Sequence, residues 1–385
     1  MYSKPVSAVE LAQTLITFNT INPPGNESDC VAYLADLLCD AGFYARFFEF
    51  APGRTSLVAR LSSSLTPPRR PLCFAGHADT VPLGQAPWHV DPFSGVIRDG
   101  KLYGRGSSDM KSGIAAFVTA ALDTSSCLKK KGHDLILAIV AGEETGCLGS
   151  NHLAELPDSE RAAALGKAGA VIIAEPTGNR PLVGHKGALW LTARFHGISA
   201  HGSMPMQGDN AIYKAARAVC RLQQFDFDTA PHPYMGSPTL NVGTISGGMN
   251  INSVPDAAAI GIDIRTVAGQ DHTRLIQRLT QYLGSDAELT PEINEEAVWT
   301  DPDNPWVQDV FDLVTPIFNH RPGVETISYF TDAAALKHAF GDVPTLIFGP
   351  GDSFTAHQTD EYCELRRIDE AVAAYSAIIR NWYGV

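Results

Sequence analysis

Basic residues are in short supply. Against 42 Asp and Glu the chain sets only 29 Lys and Arg, giving a formal charge of −13 and a pI near 5.3. Nucleic acids and anionic membranes are held by clustered Lys and Arg, so neither is expected as a partner. Long apolar runs are missing too, since no stretch reaches the ~18 residues that a membrane helix needs. The opening MYSKPVSAVELAQTLITFNT has no unbroken apolar core and no small-residue cleavage site, because Glu10 and Gln13 interrupt it. It reads as a helix start, with Ser7 and Glu10 spaced as a capping box and Leu11 and Leu15 on one face. The seven cysteines (30, 39, 73, 127, 147, 220 and 363) never form C-x-x-C. That pattern argues against a disulfide framework or a cysteine zinc site and suits reduced thiols in a cytoplasmic protein. Internal repeats and low-complexity tracts are lacking as well.

What the chain does have is a globular composition, 44% hydrophobic and 18% charged, and a length of 385 residues that suggests two or three units. Helical and extended segments alternate: DCVAYLADLLCDAG, then FYARFFEF and SLVARL, which points to an α/β layer architecture. The segment SSSLTPPRRP, residues 62 to 71, has the composition of a surface loop. Four short apolar runs follow without alternation: PLCFAG, LILAIVAG, AVIIA and PTLIFG. Such runs suit strands buried on both faces of a sheet. Between about residues 180 and 288 the pattern changes to strand, helix, strand, strand, helix, as in a self-contained α+β insertion.

Acidic and histidine residues gather just past those apolar runs. His77 and Asp79 follow LCFAG, Glu143 and Glu144 follow LILAIVAG, Glu175 follows AVIIA, and His357 lies one loop beyond TLIFG. Carboxyl ends of strands are where open α/β sheets form their ligand crevice. Each residue alone is more simply a structural histidine or a solvated loop carboxylate. Together they would repel and resist desolvation unless a cation compensated them, and a bound metal is the simplest one. The i, i+2 spacing of His77 and Asp79 lets the aspartate orient the histidine, as carboxylates do behind metal-bound imidazoles. Adjacent Glu143 and Glu144 point apart on an extended backbone, so one can ligate while the other acts as a general base.

LYGRGSSDMKSG, residues 102 to 113, resembles a phosphate-binding loop only superficially, because Asp109 and Met110 stand where such patterns need glycine. As a metal site it works better, since the two oxygens of Asp109 can bridge two ions. The donors then divide into His77, Asp109 and Glu175 around one ion and Asp109, Glu144 and His357 around the other. Mixed nitrogen and oxygen donors without cysteine suit Zn²⁺, with Co²⁺ or Mn²⁺ compatible. Paired ions of this kind recur in hydrolases.

The ordered set GHADTVP, GRGSSDMKSG, AGEETG, AEPTG, GISAHGSMP and AHQTDEY resembles the M20 metallopeptidases, which include acetylornithine deacetylases, succinyl-diaminopimelate desuccinylases, aminoacylases and glutamate carboxypeptidases. The resemblance runs from about residue 5 to the C-terminus. It implies a zinc-peptidase-like α/β catalytic domain with a central, mostly parallel sheet flanked by helices, spanning 1–179 and 289–385. An α+β, ferredoxin-like lid and dimerisation domain at 180–288 would interrupt it. It also implies the five metal donors above, Asp79 as the orienting residue, Glu143 as the base, and a cis Asp109–Met110 peptide. His201 would stabilise the oxyanion from a partner subunit, Arg265 would clamp a substrate carboxylate, and Asn252 would lie in the same neighbourhood. The implied activity is removal of an acyl group from an N-acyl amino acid, serving amino-acid biosynthesis. GHKGALW, TDAAAL and GPGDSFTAHQTDEY look closest to acetylornithine deacetylases; a desuccinylase, aminoacylase or carboxypeptidase would use the same donors. A non-catalytic binding protein on this scaffold would be expected to lack the base or a ligand, and none is lost.

Overall fold

Ser7 begins the first helix as its spacing predicts. The Ser7 hydroxyl accepts the Glu10 N–H at 3.2 Å, and the Glu10 carboxylate accepts the Ser7 N–H at 3.0 Å. The helix Ala8–Thr17 then buries Leu11 and Leu15 on one face. The structure, a computed structural model, describes residues 7–62 and 69–385. Most of the loop expected at 62 to 71 therefore lies outside the described residues.

The first compact unit comprises Met1–Gly184, Trp299–Glu325 and Thr331–Val385. Its central sheet has the order Tyr44–Ala51, Arg54–Leu61, Leu135–Val140, Leu72–His77, Ala170–Ile173, Thr345–Ile347. Arg54–Leu61 pairs antiparallel with both neighbours, and the other three pairings are parallel, so it alone runs against the remaining five strands. Every residue of Leu72–His77, Leu135–Val140, Ala170–Ile173 and Thr345–Ile347 is buried, which explains why these runs are apolar without alternation. The register places His77 opposite Val140 and Ala75 opposite Ile173. Residues 77, 143 and 175 therefore leave the sheet at one edge.

Helix Ser112–Lys131 packs against this sheet through Ile114, Phe117 and Val118. The Phe117 ring stacks 6.1 Å from Phe74, which meets Tyr375 edge-on at 5.1 Å. The helix approaches the sheet closely where it begins. A Cβ on Gly113 would stand 2.2 Å from the Ala174 carbonyl oxygen, so only glycine lets the helix start beside Glu175. Gly132, at φ 76°, ends it.

The second unit comprises His185–Val298 and Thr326–Phe330. Its four-stranded sheet, ordered Thr239–Gly247, Ala257–Thr266, Gly187–His196, Ala287–Glu295, is antiparallel throughout. Ala257–Thr266 alternates strictly between buried and more exposed residues. Leu189, Leu191, Phe195, Ile260, Ile262 and Ile264 meet the helices Ala211–Leu222 and His272–Leu283. The fourth strand, AELTPEINE, is not evident from sequence: Pro291 and three glutamates mask it, and they are tolerated because it is an edge strand. Among the described residues, no helix is long and apolar enough to cross a membrane.

Candidate metal centre

Three strand ends and two loops of the first unit bring the expected donors together. Asp109 lies in the turn Ser107–Lys111, with non-helical φ −123° and ψ 95°, and its peptide bond to Met110 is cis. Its two oxygens face different partners. Oδ1 is 3.0 Å from His77 Nε2, and Oδ2 is 3.3 Å from His357 Nε2. Glu175 Oε1 stands 3.8 Å from His77 Nε2, and Glu144 Oε2 stands 3.1 Å from His357 Nε2. The groups His77, Asp109, Glu175 and Asp109, Glu144, His357 thus each gather their donor atoms within 4.8 Å.

The electrostatics call for a cation. Glu144 Oε1 and Glu175 Oε1 are buried without a hydrogen-bond donor, a costly state for carboxylates unless positive charge reaches them. Burial pushes the pKa of Glu175 well up, with Asp109, Asp332 and Glu144 adding repulsion against the offsetting His77. Burial raises Glu144 as well. Burial alone would lower His77, yet its Asp109 bond and the charges of Glu175 and Glu143 carry it well above the usual imidazole range. Hydrogen bonds to Asp109 and Glu144 push His357 up to about 10. All these shifts run in the direction that draws positive charge to the carboxylates. The donor set therefore fits a divalent metal of the kind that accepts both imidazole and carboxylate.

One expected role changes. The Asp79 carboxylate does not orient His77: its Oδ1 is 3.7 Å from Nδ1, while the Asp79 backbone carbonyl accepts from Nδ1 at 3.0 Å. A carbonyl only accepts, so Nδ1 donates to it, and Nε2 is the nitrogen that faces Asp109 and Glu175. The cause is that the strand ends at His77, after which the i, i+2 side chains no longer share a face. The carboxylate instead accepts three backbone N–H groups, from Gly142 at 2.9 Å, Glu143 at 3.1 Å and Glu144 at 3.2 Å. It holds the turn that carries Glu143 and Glu144.

Glu143 is buried and belongs to neither donor group. Burial raises its pKa well above the usual carboxylate range, against the pull of His77 and with the push of Glu175 and Asp332. The Cys147 thiol donates to its Oε1 at 3.9 Å.

Three neighbouring residues escape sequence reasoning. Asn22 Nδ2 reaches Asp79 Oδ2 at 2.8 Å and Thr145 Oγ1 at 2.9 Å. Asp332 is fully buried, accepts from Ser150 Oγ at 2.6 Å, and is raised to about 6 chiefly by burial. Glu361 is buried and accepts from Arg105 and three backbone N–H groups around Asp109. A carboxylate that serves backbone donors from a distant segment has no local signature. Only the stretch AHQTDEY hinted at Glu361.

The second unit holds His201, Asn252 and Arg265. His201 pairs with Ser253 in a short antiparallel bridge, and Gly202 N–H donates to the Asn252 carbonyl at 2.7 Å. His201 Nδ1 accepts the Ser203 N–H at 3.2 Å and lies 2.7 Å from Ser203 Oγ. Arg265 Nε lies 2.9 Å from Asp263 Oδ1, and its guanidinium carbon is 5.9 Å from the Trp190 ring centroid and 6.0 Å from that of Phe330.

Residues 73–381 match the model for Peptidase family M20/M25/M40. A succinyl-diaminopimelate desuccinylase from Wolbachia pipientis subsp. Culex pipiens is 30% identical, over 98% of this chain and 94% of that protein. An acetylornithine deacetylase from Vibrio cholerae is 29% identical, over 98% of each. Among solved structures, an M20 family metallo-carboxypeptidase from Sulfolobus solfataricus superposes with a TM-score of 0.79 at 18% identity, covering 98% of this chain and 99% of that one. With the family match covering most of its length, this chain belongs to peptidase family M20/M25/M40 and is a hydrolase acting on amides.

Proposed function

We propose that this chain removes the acyl group from an N-acyl amino acid, with Glu143 as the general base and two divalent cations, Zn²⁺ foremost, as cofactors. One observation carries the reading: Asp109 offers one oxygen to each of two histidine and carboxylate groups, while Glu143 sits beside them unclaimed by either. His77, Asp109 and Glu175 would hold one ion; Asp109, Glu144 and His357 would hold the other. Cations there supply the positive charge that polarises an amide carbonyl and acidifies water.

Glu143 takes a proton from the attacking water and returns it to the leaving amine. Its burial suits that double duty, because a carboxyl group whose pKa burial raises holds a proton more readily once it has taken one. His201 is the proposed oxyanion donor to the centre of a partner subunit, and Arg265 the proposed clamp on a substrate carboxylate, a task suited to its planar fork. Asn252 neighbours His201. These three roles rest on the M20 resemblance.

N-acetyl-L-ornithine is the first substrate proposed, on the stretches GHKGALW and GPGDSFTAHQTDEY. The Wolbachia relative supports N-succinyl-diaminopimelate equally. Amine release measured on both in parallel decides between them: a kcat/KM at least about tenfold higher on one names the acyl group, and release from neither overturns both substrate assignments.

We further propose a homodimer formed through the second unit, in a reducing compartment where the seven cysteines stay as thiols. Support comes from the edge strand Thr239–Gly247, whose outer side has no neighbouring strand among the described residues and which exposes Ile245, with Met249 and Ile251 just beyond.

A further inference from the structure

Building on the two-cation reading, we infer that Glu361 is the positioning residue that holds Asp109 and His357 in register. The donor group Asp109, Glu144 and His357 should then depend on Glu361 more than the group His77, Asp109 and Glu175 does.

The sheet pairing nearest to them, Tyr362–Glu364 against Lys101–Tyr103, stops five residues past His357 and six before Asp109. Asp109 lies in the irregular turn Ser107–Lys111, and His357 lies in a run of turns where both it and Asp360 take left-handed φ, 62° and 58°. The Glu361 carboxylate joins the two segments. Oε1 accepts the N–H of Ser108 at 2.7 Å and of Asp109 at 3.0 Å; Oε2 accepts the N–H of Gly106 at 3.1 Å and Arg105 Nη1 at 2.5 Å. A carboxylate is the one side chain that can accept four such donors, because it has about four lone-pair sites and no proton of its own. Glu361 and Arg105 are each 1% exposed, so water cannot take over these bonds. Ser108 Oγ adds a bond to the Asp352 carbonyl at 2.9 Å, lacing the same two segments further along.

The arrangement repeats on the other side of the centre. Asp79 follows His77 and accepts the three N–H groups of residues 142 to 144, as Glu361 follows His357 and accepts those of 106, 108 and 109. Each buried carboxylate travels with a histidine donor and grips the backbone of the loop that delivers the acidic donors. His77 has a second attachment, since it ends a strand paired on both sides. His357 lies in turns five residues before its nearest paired strand, Tyr362–Glu364, and this is why loss of Glu361 falls on its group.

The test uses the full chain. Glu361→Gln keeps the shape but puts a donor against donors; Glu361→Asp keeps the charge but shortens the reach. Wild type and both variants are equilibrated with buffered free zinc, zinc per chain is counted by elemental mass spectrometry, and the metal-free fold is checked by circular dichroism. The expected result is two ions in wild type, and in folded Glu361→Gln a first ion held as in wild type with a second weakened about 10–100-fold. Glu361→Asp should fall between. kcat should drop with the second ion while KM stays near the wild-type value. Two ions held at wild-type affinity by Glu361→Gln, equal weakening of both ions, or failure of both variants to fold would each overturn the inference. Wild type that takes up no zinc would instead overturn the two-cation reading beneath it.

Discussion

Glu143→Gln removes a proton acceptor and little else. The account expects kcat/KM to fall by about 10²–10⁴-fold, with metal content unchanged, checked by steady-state amine release beside elemental analysis. A fall in bound metal would make Glu143 a ligand. The donors also set a pH dependence in the metal-free chain. His77, His357, Glu143, Glu144 and Glu175 all have pKa values raised by folding. A raised group stabilises the fold below its unfolded pKa and loses that contribution as pH rises through the folded value. Asp109 is held low by its histidines against the effect of burial and acts the opposite way, but only in acid. Between about pH 5 and 9 the metal-free protein should therefore lose stability as pH rises, and zinc uptake should release protons. Urea midpoints against pH, with and without zinc, check the sign. At this scale four of the candidate donors, His77, Glu144, Glu175 and His357, stand out because they follow strand-like runs, and Asp109 because it sits in a glycine-rich turn whose pattern does not fit a phosphate loop. The carboxylate of Asp79 was misjudged: its partners are backbone N–H groups from another loop, and a sequence does not show where such groups converge.

Elements place these side chains. Phe117 joins helix Ser112–Lys131 to the sheet through Phe74, and both rings are fully buried. Phe117→Ala should cost about 3–5 kcal/mol of stability, measured by denaturant unfolding, and should weaken metal uptake only so far as the chain unfolds. A change under about 1 kcal/mol would contradict the packing described. The buried strands could be read from unbroken apolar runs, and Ala257–Thr266 from its alternation. Ala287–Glu295 could not, because an edge strand facing water carries the same proline and acids as a loop. The single reversed strand, Arg54–Leu61, was also hidden. A hydrophobic run does not record its direction.

For the whole molecule, the shift in patterning suggests an insertion at 180–288, while the second compact unit runs over His185–Val298 and adds Thr326–Phe330, a segment that no change of composition marks. The assembly is the proposal that this scale can test. Sedimentation of the 41.3 kDa chain should give a dimer, and Ile245→Lys on the exposed edge should shift it to monomer without changing the zinc content. A wild-type monomer would rule out the dimer. The central claim, that amide hydrolysis here depends on cations held by His77, Asp109, Glu144, Glu175 and His357, is tested most directly by following amine release from N-acetyl-L-ornithine and N-succinyl-diaminopimelate. The assay is run before chelation, after it, and after zinc is restored. Release that disappears with the chelator and returns with zinc is the predicted result; release that persists in protein shown to hold no metal would contradict the account.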